Sequence, residues 1–524
     1  MTTSAQSAQS ARSVPTPGQV TMTLSAIAAT AAVPRPSGET REEQALRARV
    51  GITALLQDGA LATGGTWQLK WLGLSPDNAN LAYIAWNSDG SNQIAVAVRG
   101  TVSHPADMME DLDVGTVVPF LPDGSTELAV SAGAMAAFTQ VANARGITAV
   151  PAGQVPDDVI PVGATLTQAL AALLAFVPSA PRPTVYVTGH SLGGCIATML
   201  AAYLQARTWA PNTPQFALIT FAAPTAGLQG FADYVDDRQW SLHERHVNAY
   251  DVVPLAWSDL LVARKWYPEP VANDTVKLLL TEIDLLKKDN VYVQPDADTP
   301  VKWNGNYSWY DTFLINKTTS DFLGQVAFPH SNFSYLHLLG APPVPAGPRV
   351  TAVNPTAGQG GREIIISGSG FTPDSVVDFG PIPCTEYAID LSGSWITAMA
   401  PEGVGIVDVR VTNLLGTSPA VPLGQFAYDG PAPVVVSSVV PRNGQHGTRV
   451  TIEGSGFAAD ASVRFKDHTA HDVCVESSTL IKATAPLRLL DEVIADDTKT
   501  VDVTVTVGVA TSPTGPGDEF TYQA

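Results

Sequence analysis

The chain has 524 residues, so a single compact domain is excluded and roughly two to four domains are expected. Hydrophobic residues make up 45% and charged residues 15%, which excludes a long disordered chain. The net charge of -20 repels phosphate backbones and anionic membranes, so no nucleic-acid partner is expected. Cys195, Cys384 and Cys474 lie far apart, which predicts no metal site, and no apolar run is long enough for a transmembrane segment.

The first 40 residues are rich in Ser, Ala, Thr and Pro and contain few large apolar groups. We predict that residues 1–40 form a disordered N-terminal segment. Within it, residues 22–33 are apolar and Ala-rich, with only Arg12 as a positive charge before them. A secretory signal is therefore the alternative interpretation of this segment, and the disordered tail is preferred.

Residues 41–345 alternate between predicted strands and predicted helices. This alternation is typical of an α/β domain with a largely parallel sheet. A Pro-rich hinge at residues 341–348 ends the domain. The predicted strands are residues 81–86, 93–98, 184–188, 215–221 and 246–250, and the predicted helices are residues 42–56, 129–144, 165–176 and 192–208.

Beyond the hinge the sequence consists of a motif-bearing segment that occurs twice. Residues 366–371 (Ile-Ser-Gly-Ser-Gly-Phe) correspond to residues 452–457 (Ile-Glu-Gly-Ser-Gly-Phe), and each copy ends on Phe-x-Tyr. Short strands separated by Gly and Pro turns predict two all-β sandwiches, at 346–430 and 431–524. They resemble IPT/TIG immunoglobulin-like domains. That resemblance implies a fold and leaves two roles open, surface binding or spacing.

A serine in a tight turn between a strand and a helix is the clearest chemical signal. Ser191 stands in Gly189-His190-Ser191-Leu192-Gly193, directly after the predicted strand and before an apolar helix. Small flanking residues let such a turn pass close to its neighbours and lift the hydroxyl out at the carboxyl edge of the sheet. The following helix directs its free amides at developing negative charge. We predict that Ser191 is a nucleophile.

A serine nucleophile needs a base and a group that orients the base. Asp251 follows a predicted strand and precedes a Pro, which makes it the candidate orienting residue. His330 follows a Pro ahead of an apolar helix and is preferred as the base. His337 lies inside that helix and is the weaker candidate, whereas His190 is expected to support the turn that carries Ser191.

Several segments share one known pattern: residues 96–101 with 109–112, residues 189–194, residues 220–224, residues 248–254, and His330 with Tyr335 and Leu336. Through these segments, residues 80–340 resemble the class 3 lipases, the fungal-type lipase family. The resemblance implies an α/β-hydrolase fold and an oxyanion hole formed by the backbone amides of Thr101 and Leu192.

The family resemblance implies a serine carboxylic-ester hydrolase that works through a Ser-Asp-His triad and an acyl-enzyme, with no metal or organic cofactor. The expected substrates are acylglycerols or related lipid esters, met in solution or at an oil–water interface. Phospholipase A1, a polymer-directed esterase and an inactive hydrolase-like adhesion protein stay open as alternatives. Family and domain type favour a secreted or cell-surface location, and a cytoplasmic one stays open because no clear signal peptide is present.

Two segments near the predicted site have two interpretations each. Residues 102–128 contain several large apolar side chains and form either an interfacial flap or a core-facing loop, with the flap slightly preferred. Residues 276–286 are amphipathic and precede four aromatic residues. The stretch and the aromatics either cover an acyl pocket or pack on one another, and the aromatics are Trp303, Trp309, Tyr310 and Phe313.

Overall fold

A computed structural model gives the fold. It describes residues 14–30, 34–75, 79–100, 113–147, 158–265, 274–295, 328–428, 434–458, 460–486, 500–508 and 510–523.

A six-stranded sheet forms the centre of the first domain, in the order β1-β2-β3-β6-β7-β8. The first three strands pair antiparallel, and β3, β6, β7 and β8 run parallel. Residues 187–190 of β6 and residues 216–221 of β7 are buried in succession because helices cover both faces of the sheet. The bounds are β1 Trp67–Leu74, β2 Leu81–Asn87, β3 Gln93–Val98, β6 Thr184–His190, β7 Gln215–Phe221 and β8 Leu242–His246.

The two faces of the sheet are covered by different helices. On β3, Ile94, Val96 and Val98 face one core, which the helices α3 to α6 complete. Ala95 and Ala97 face the opposite core, to which α1 and α2 contribute. The bounds are α1 Pro17–Ala28, α2 Arg41–Leu56, α3 Ala132–Asn143, α4 Leu166–Phe176, α5 Leu192–Gln205, α6 Gln229–Asp236, α7 Asp274–Leu285 and α8 Asn332–Leu338.

The prediction of a disordered N-terminal segment is wrong for the part of residues 1–40 that the structure describes. Helix α1 is buried along most of its length, and its large apolar residues Met22, Leu24 and Ile27 are 0% exposed. Its buried hydroxyls bond to carbonyls one turn earlier, as Ser25 does to Thr21 at 2.9 Å, so burial leaves them satisfied. Residues 1–13 and 31–33 lie outside the described residues.

The stretch expected to form a flap contains a strand instead. Strand β4 (Val117–Phe120) pairs antiparallel with β5 (Leu128–Ser131). Phe120 is 1% exposed and lies edge-on to Phe138 of α3, with the ring centroids 5.1 Å apart. The preferred flap interpretation is therefore wrong for residues 117–120, whereas residues 101–112 lie outside the described part of the chain. In that part, no helix is long and apolar enough to cross a membrane.

Two β-sandwiches follow, as predicted, and they share one strand order. The first has sheets β10-β18-β16-β12-β13 and β14-β15-β11-β9, and the second has β20-β28-β26-β22-β23 and β19-β21-β25-β24. The bounds in the first are β9 Arg349–Asn354, β10 Ala357–Gly358, β11 Glu363–Ser369, β12 Val376–Phe379, β13 Ile382–Pro383, β14 Tyr387–Ile389, β15 Trp395–Met399, β16 Ile406–Asn413, β17 Gly416–Thr417 and β18 Gln425–Tyr428. Those in the second are β19 Val435–Val440, β20 Asn443–Gly444, β21 Arg449–Ser455, β22 Ser462–Phe465, β23 His468–Thr469, β24 His471–Ser477, β25 Leu480–Thr484, β26 Thr500–Val507, β27 Ala510–Thr511 and β28 Glu519–Tyr522.

A charged contact joins the first sandwich to the first domain. Arg35 donates to both carboxylate oxygens of Asp378, at 2.9 Å each for the shorter contacts, and Asp378 is 0% exposed. The backbone of Leu414 lies so close to Gly51 of α2 that a Cβ at Gly51 would overlap it. The sandwich therefore packs on α2 and on the segment that precedes it.

Candidate active site

Ser191 lies in a strained turn at the carboxyl end of β6. It is the N-cap of α5, and its backbone angles are φ 61° and ψ -134°, which a residue with a side chain adopts only when its surroundings impose them. The amide of Ser191 donates to the carbonyl of Phe221 at the end of β7, which fixes the turn to the neighbouring strand. The hydroxyl is thereby presented at the carboxyl edge of the sheet.

The glycines around Ser191 are required by space. A Cβ at Gly189 would overlap the backbone of Gly193, and a Cβ at Gly193 would overlap the carbonyl of Val98 on β3. A Cβ at Gly194 would come within 2.7 Å of the side chain of Ala223. These contacts explain the Gly-x-Ser-x-Gly-Gly sequence, because the turn passes between two strands with no room for side chains.

His330 joins Ser191 and Asp251 by hydrogen bonds. Its Nε2 lies 2.9 Å from the Oγ of Ser191, and its Nδ1 lies 2.8 Å and 3.0 Å from the two oxygens of Asp251. A carboxylate only accepts, so Nδ1 carries the proton and Nε2 is free to accept from the serine hydroxyl. All three residues are buried, with Asp251 at 0% exposure. The structure thus brings together the three side chains predicted from the sequence.

Asp251 follows β8 by a short turn and is held by two further donors. The sequence predicted this strand over residues 246–250, whereas in the structure β8 covers Leu242–His246. The amide of Val253 donates to Oδ1 at 3.0 Å, and the hydroxyl of Tyr335 donates to Oδ2 at 2.8 Å. Burial, then the charge of Asp251, raises the pKa of Tyr335 well above its ordinary value, so this hydroxyl stays a donor.

Tyr335 and Asn248 are functional candidates that the sequence reasoning did not assign. The amide of Asn248 donates to the Tyr335 hydroxyl at 2.9 Å, and its side chain donates to the carbonyl of Pro329 at 3.2 Å, next to His330. Both residues stood in the motifs that carried the family resemblance, at a fixed offset from Asp251 and His330. That offset was the available signal, but the side-chain contacts follow only from the fold.

The other histidine candidates have different surroundings. His190 donates through Nε2 to the carbonyl of His330 at 2.6 Å, and its ring centroid lies 4.7 Å from that of His330. Burial, then the neighbouring His330, holds the pKa of His190 well below its ordinary value, so it is a neutral support for the base. His337 is exposed on α8 and stacks on Phe333, with the ring centroids 6.4 Å apart.

Of the two residues predicted to form the oxyanion hole, Leu192 lies among the described residues and Thr101 does not. Leu192 is the first residue of α5, where a backbone amide has no acceptor within its own helix. Gly100 lies against the serine turn, because a Cβ there would come within 2.7 Å of the carbonyl of His190 and 3.2 Å of the Cβ of Ser191. The segment that follows β3 therefore contacts the turn through Gly100, while Thr101 itself lies outside the described residues.

An apolar wall lies beside the serine turn. Leu192 packs against a cluster that joins residues after Asp251 to helix α7, including Trp257, Leu260, Leu280 and Ile283. The amphipathic stretch predicted at residues 276–286 thus contributes to this wall through Leu280 and Ile283, which are nearly fully buried. The four aromatics at 303–313 lie outside the described residues. In the part of the chain that the structure describes, no group of His, Cys, Asp and Glu has the arrangement of a metal site.

Comparison with known proteins agrees with this architecture. Residues 95–259 match the family model described as Lipase (class 3), and residues 348–428 and 433–522 match the IPT/TIG domain. No curated protein sequence matches the chain.

Among solved structures, the M37 lipase is 21% identical with a TM-score of 0.50, over 62% of this chain and 92% of that one. Lipase II from Rhizopus niveus is 22% identical with a TM-score of 0.31, over 45% and 74% of the two chains. The Lip2 lipase from Yarrowia lipolytica is 17% identical with a TM-score of 0.29, over 44% and 71%. The likeness to the M37 lipase supports the predicted α/β-hydrolase fold. The family matches, and not the likeness in fold, confirm a class 3 lipase domain followed by two IPT/TIG domains, and with it a carboxylic-ester hydrolase.

Proposed function

We propose that this protein hydrolyses acylglycerols or related lipid esters, with Ser191 as nucleophile, His330 as base and Asp251 as the residue that orients the base. The observation that carries the proposal is the continuous line of hydrogen bonds from the Ser191 hydroxyl through both ring nitrogens of His330 to the Asp251 carboxylate. The line is buried and begins at the strained turn between β6 and α5.

The first half of the reaction forms an acyl-enzyme. Nε2 of His330 takes the proton of the Ser191 hydroxyl as Oγ attacks the ester carbonyl, and the buried Asp251 stabilises the imidazolium. The tetrahedral oxyanion accepts hydrogen bonds from the amides of Leu192 and Thr101. The alcohol leaves with the proton that His330 returns to it, and the acyl group stays on Oγ.

The second half regenerates the enzyme. Water gives a proton to Nε2 of His330 and attacks the acyl carbonyl, and the same two amides hold the second oxyanion. Collapse of this intermediate releases the carboxylic acid as Ser191 Oγ recovers its proton from His330. Each step balances with these residues and water alone.

The apolar wall beside Ser191 supports the proposal that the acyl group of the substrate is lipid-like. Leu192, whose amide belongs to the proposed oxyanion hole, also packs on the cluster built by Trp257, Leu260 and Leu280. The cluster itself is buried, whereas Leu192, Leu228 and Leu255, which pack on it, are only partly buried. An acyl chain whose carbonyl carbon is bound at Ser191 is proposed to lie along these three side chains. Burial of each methylene contributes about 0.8 kcal/mol, so chain length is expected to matter strongly.

An acyl-chain-length series tests this proposal. p-Nitrophenyl esters and triacylglycerols of increasing length are assayed below and above their solubility limits, with Ser191→Ala as the matched control. We expect the variant to lose at least about 10⁴-fold in kcat and the wild type to prefer medium or long chains. Full activity of Ser191→Ala would refute the assignment of the nucleophile. Preference for phospholipids would identify a phospholipase A1, and action confined to insoluble polyesters a polymer-directed esterase.

The two IPT/TIG domains are proposed to act as spacers or to bind a surface. The fixed contact of the first domain with the lipase domain, through Arg35 and Asp378, supports the spacer role. Co-sedimentation of the full chain with oil droplets and with polymer particles, each with Ser191→Ala to prevent turnover, distinguishes the two roles. A surface-binding role requires sedimentation that survives this substitution.

A further inference from the structure

Helix α1 lies between the two chain segments that carry the proposed nucleophile and base. On one side, the Oγ of Ser25 lies 2.9 Å from the Oγ1 of Thr188, which is on β6 three residues before Ser191. Both hydroxyls are buried, and the hydroxyl of Tyr83 donates to the carbonyl of Leu24 at 2.7 Å. These contacts fix α1 to the central sheet.

On the other side, α1 contacts helix α8, which begins two residues after His330. The Nε2 of Gln19 donates to the carbonyl of Leu339 at 2.8 Å and to that of Gly340 at 3.3 Å. These carbonyls stand just past the C-terminal end of α8, where the last carbonyls of a helix have no amide donor within the helix. The side chain of Gln19 therefore caps the C-terminal end of α8 with a donor from another helix.

Apolar packing joins the same two helices. Met22 and Ala26 of α1 share a buried cluster with Tyr335 and Leu336 of α8. Tyr335 is the residue whose hydroxyl donates to Asp251. A displacement of α8 would therefore move the Tyr335 hydroxyl and His330 together, relative to a serine that stays on the sheet.

We infer that α1 is a positioning element of the active site, and that Gln19 is a positioning residue that sets the place of His330 through α8. The inference rests on the proposed roles of Ser191, His330 and Asp251, and it gives a function to the segment that resembles a secretory signal. Among the residues that the structure describes, the side chain of Gln19 bonds to the amide of Thr16 and to the end of α8, so Gln19 acts on His330 through that helix.

The chain offers a matched control for a test of Gln19. Gln19 and Gln168 occupy the same position in two capping boxes, of α1 and α4, and each accepts from the backbone amide of its N-cap threonine. Gln168 is exposed and its capping contacts are local. Glutamate at either position keeps the capping acceptor, but only at 19 does it remove a donor to α8.

Gln19→Glu and Gln168→Glu are compared in the full-length enzyme by kcat, KM and the rate at which a phosphonate inhibitor labels Ser191. We expect Gln19→Glu to lower kcat and the labelling rate about three- to tenfold, with KM unchanged, which matches the loss of a net hydrogen bond. Gln168→Glu is expected to keep wild-type values. Should Gln19→Glu fold poorly, Gln19→Met removes the same donor without adding charge and has the same expectation.

Equal kcat and equal labelling rates in the Gln19 and Gln168 variants would overturn the inference, even if Gln19→Glu lowers Tm, since that result describes a structural contact alone. An inactive wild type would instead refute the proposed function. N-terminal sequencing of the active enzyme gives a second readout. We expect its first residue to precede Pro17, and full activity of a chain that begins after residue 30 would also overturn the inference.

Discussion

Substitution of Tyr335 by phenylalanine removes one hydroxyl from the carboxylate end of the proposed triad. The ring stays in place, because it is 1% exposed and packed among apolar side chains. What is lost is the donor to Asp251 Oδ2 at 2.8 Å and the acceptor of the Asn248 amide at 2.9 Å.

The size of the effect follows from the two lost contacts. A hydrogen bond to a charged group contributes about 1.5–3 kcal/mol, and a buried amide left without its acceptor costs about 1–3 kcal/mol. Partial relaxation is expected to reduce the sum, so we predict a loss of about 2–4 kcal/mol in the free energy of unfolding. Because Asp251 keeps the amide of Val253 and His330, catalysis is weakened and not abolished, and we predict a fall in kcat of about 10-fold.

The assay pairs urea unfolding with steady-state kinetics for Tyr335→Phe and for Tyr522→Phe. Tyr522 donates to the carbonyl of Pro486 at 3.0 Å inside the second sandwich, so its variant loses a buried hydroxyl far from the site. We expect Tyr522→Phe to lose stability only. Wild-type kcat in Tyr335→Phe, or an equal fall of kcat in both variants, would show that the Tyr335 hydroxyl does not act on catalysis through Asp251.

Three further predictions concern the serine turn, its neutral histidine and the domain contact. Gly189→Ala is expected to prevent correct folding or to lower Tm sharply in thermal denaturation, because its Cβ would overlap the backbone of Gly193. The control is Gly230→Ala, whose Cβ would meet nothing within 4 Å, and it is expected to be neutral or stabilising. The pKa of His190 is held below 6.5, so just below pH 6.5 the imidazole binds a proton in the unfolded chain but stays neutral in the folded chain. The stability from His190 is therefore complete above about pH 6.5 and is lost as pH falls, by up to about 1.4 kcal/mol per pH unit, and urea midpoints between pH 5 and 7 should show a flatter slope in His190→Gln. Asp378→Asn is expected to destabilise the chain by about 1–3 kcal/mol in calorimetry, with kcat unchanged, because Arg35 is 28% exposed and part of its charge stays solvated.

The serine turn could be predicted from sequence because its requirements are local. Gly189, Ser191 and Gly193 stand within five consecutive positions, and the structure shows that each glycine faces backbone at close range. Asp251 and His330 could be proposed because the order of residues along the chain limits the candidates. Their catalytic roles stay predictions, which the hydrogen bonds between Ser191 and His330 and between His330 and Asp251 support.

The parts that sequence reasoning missed depend on contacts between distant segments. Helix α1 looks polar and small in composition, but its hydroxyls bond within the helix and its apolar side chains find the sheet and α8. Phe120 belongs to the core only because α3 and α6 bring Phe138 and Phe231 to it. The role of Tyr335 likewise needs Asp251, which lies 84 residues earlier in the chain. No local pattern contains these pairings.

Ser191 is proposed to form the covalent acyl-enzyme, on which the whole reaction depends. Mass spectrometry of peptides from the full chain, after reaction with a stoichiometric amount of a phosphonate ester that mimics the tetrahedral intermediate, tests it most directly. We predict one adduct per chain, on the peptide that contains Ser191, formed slowly in His330→Ala and absent in Ser191→Ala. Full inactivation with the adduct on another residue, or labelling that persists in Ser191→Ala, would contradict the account.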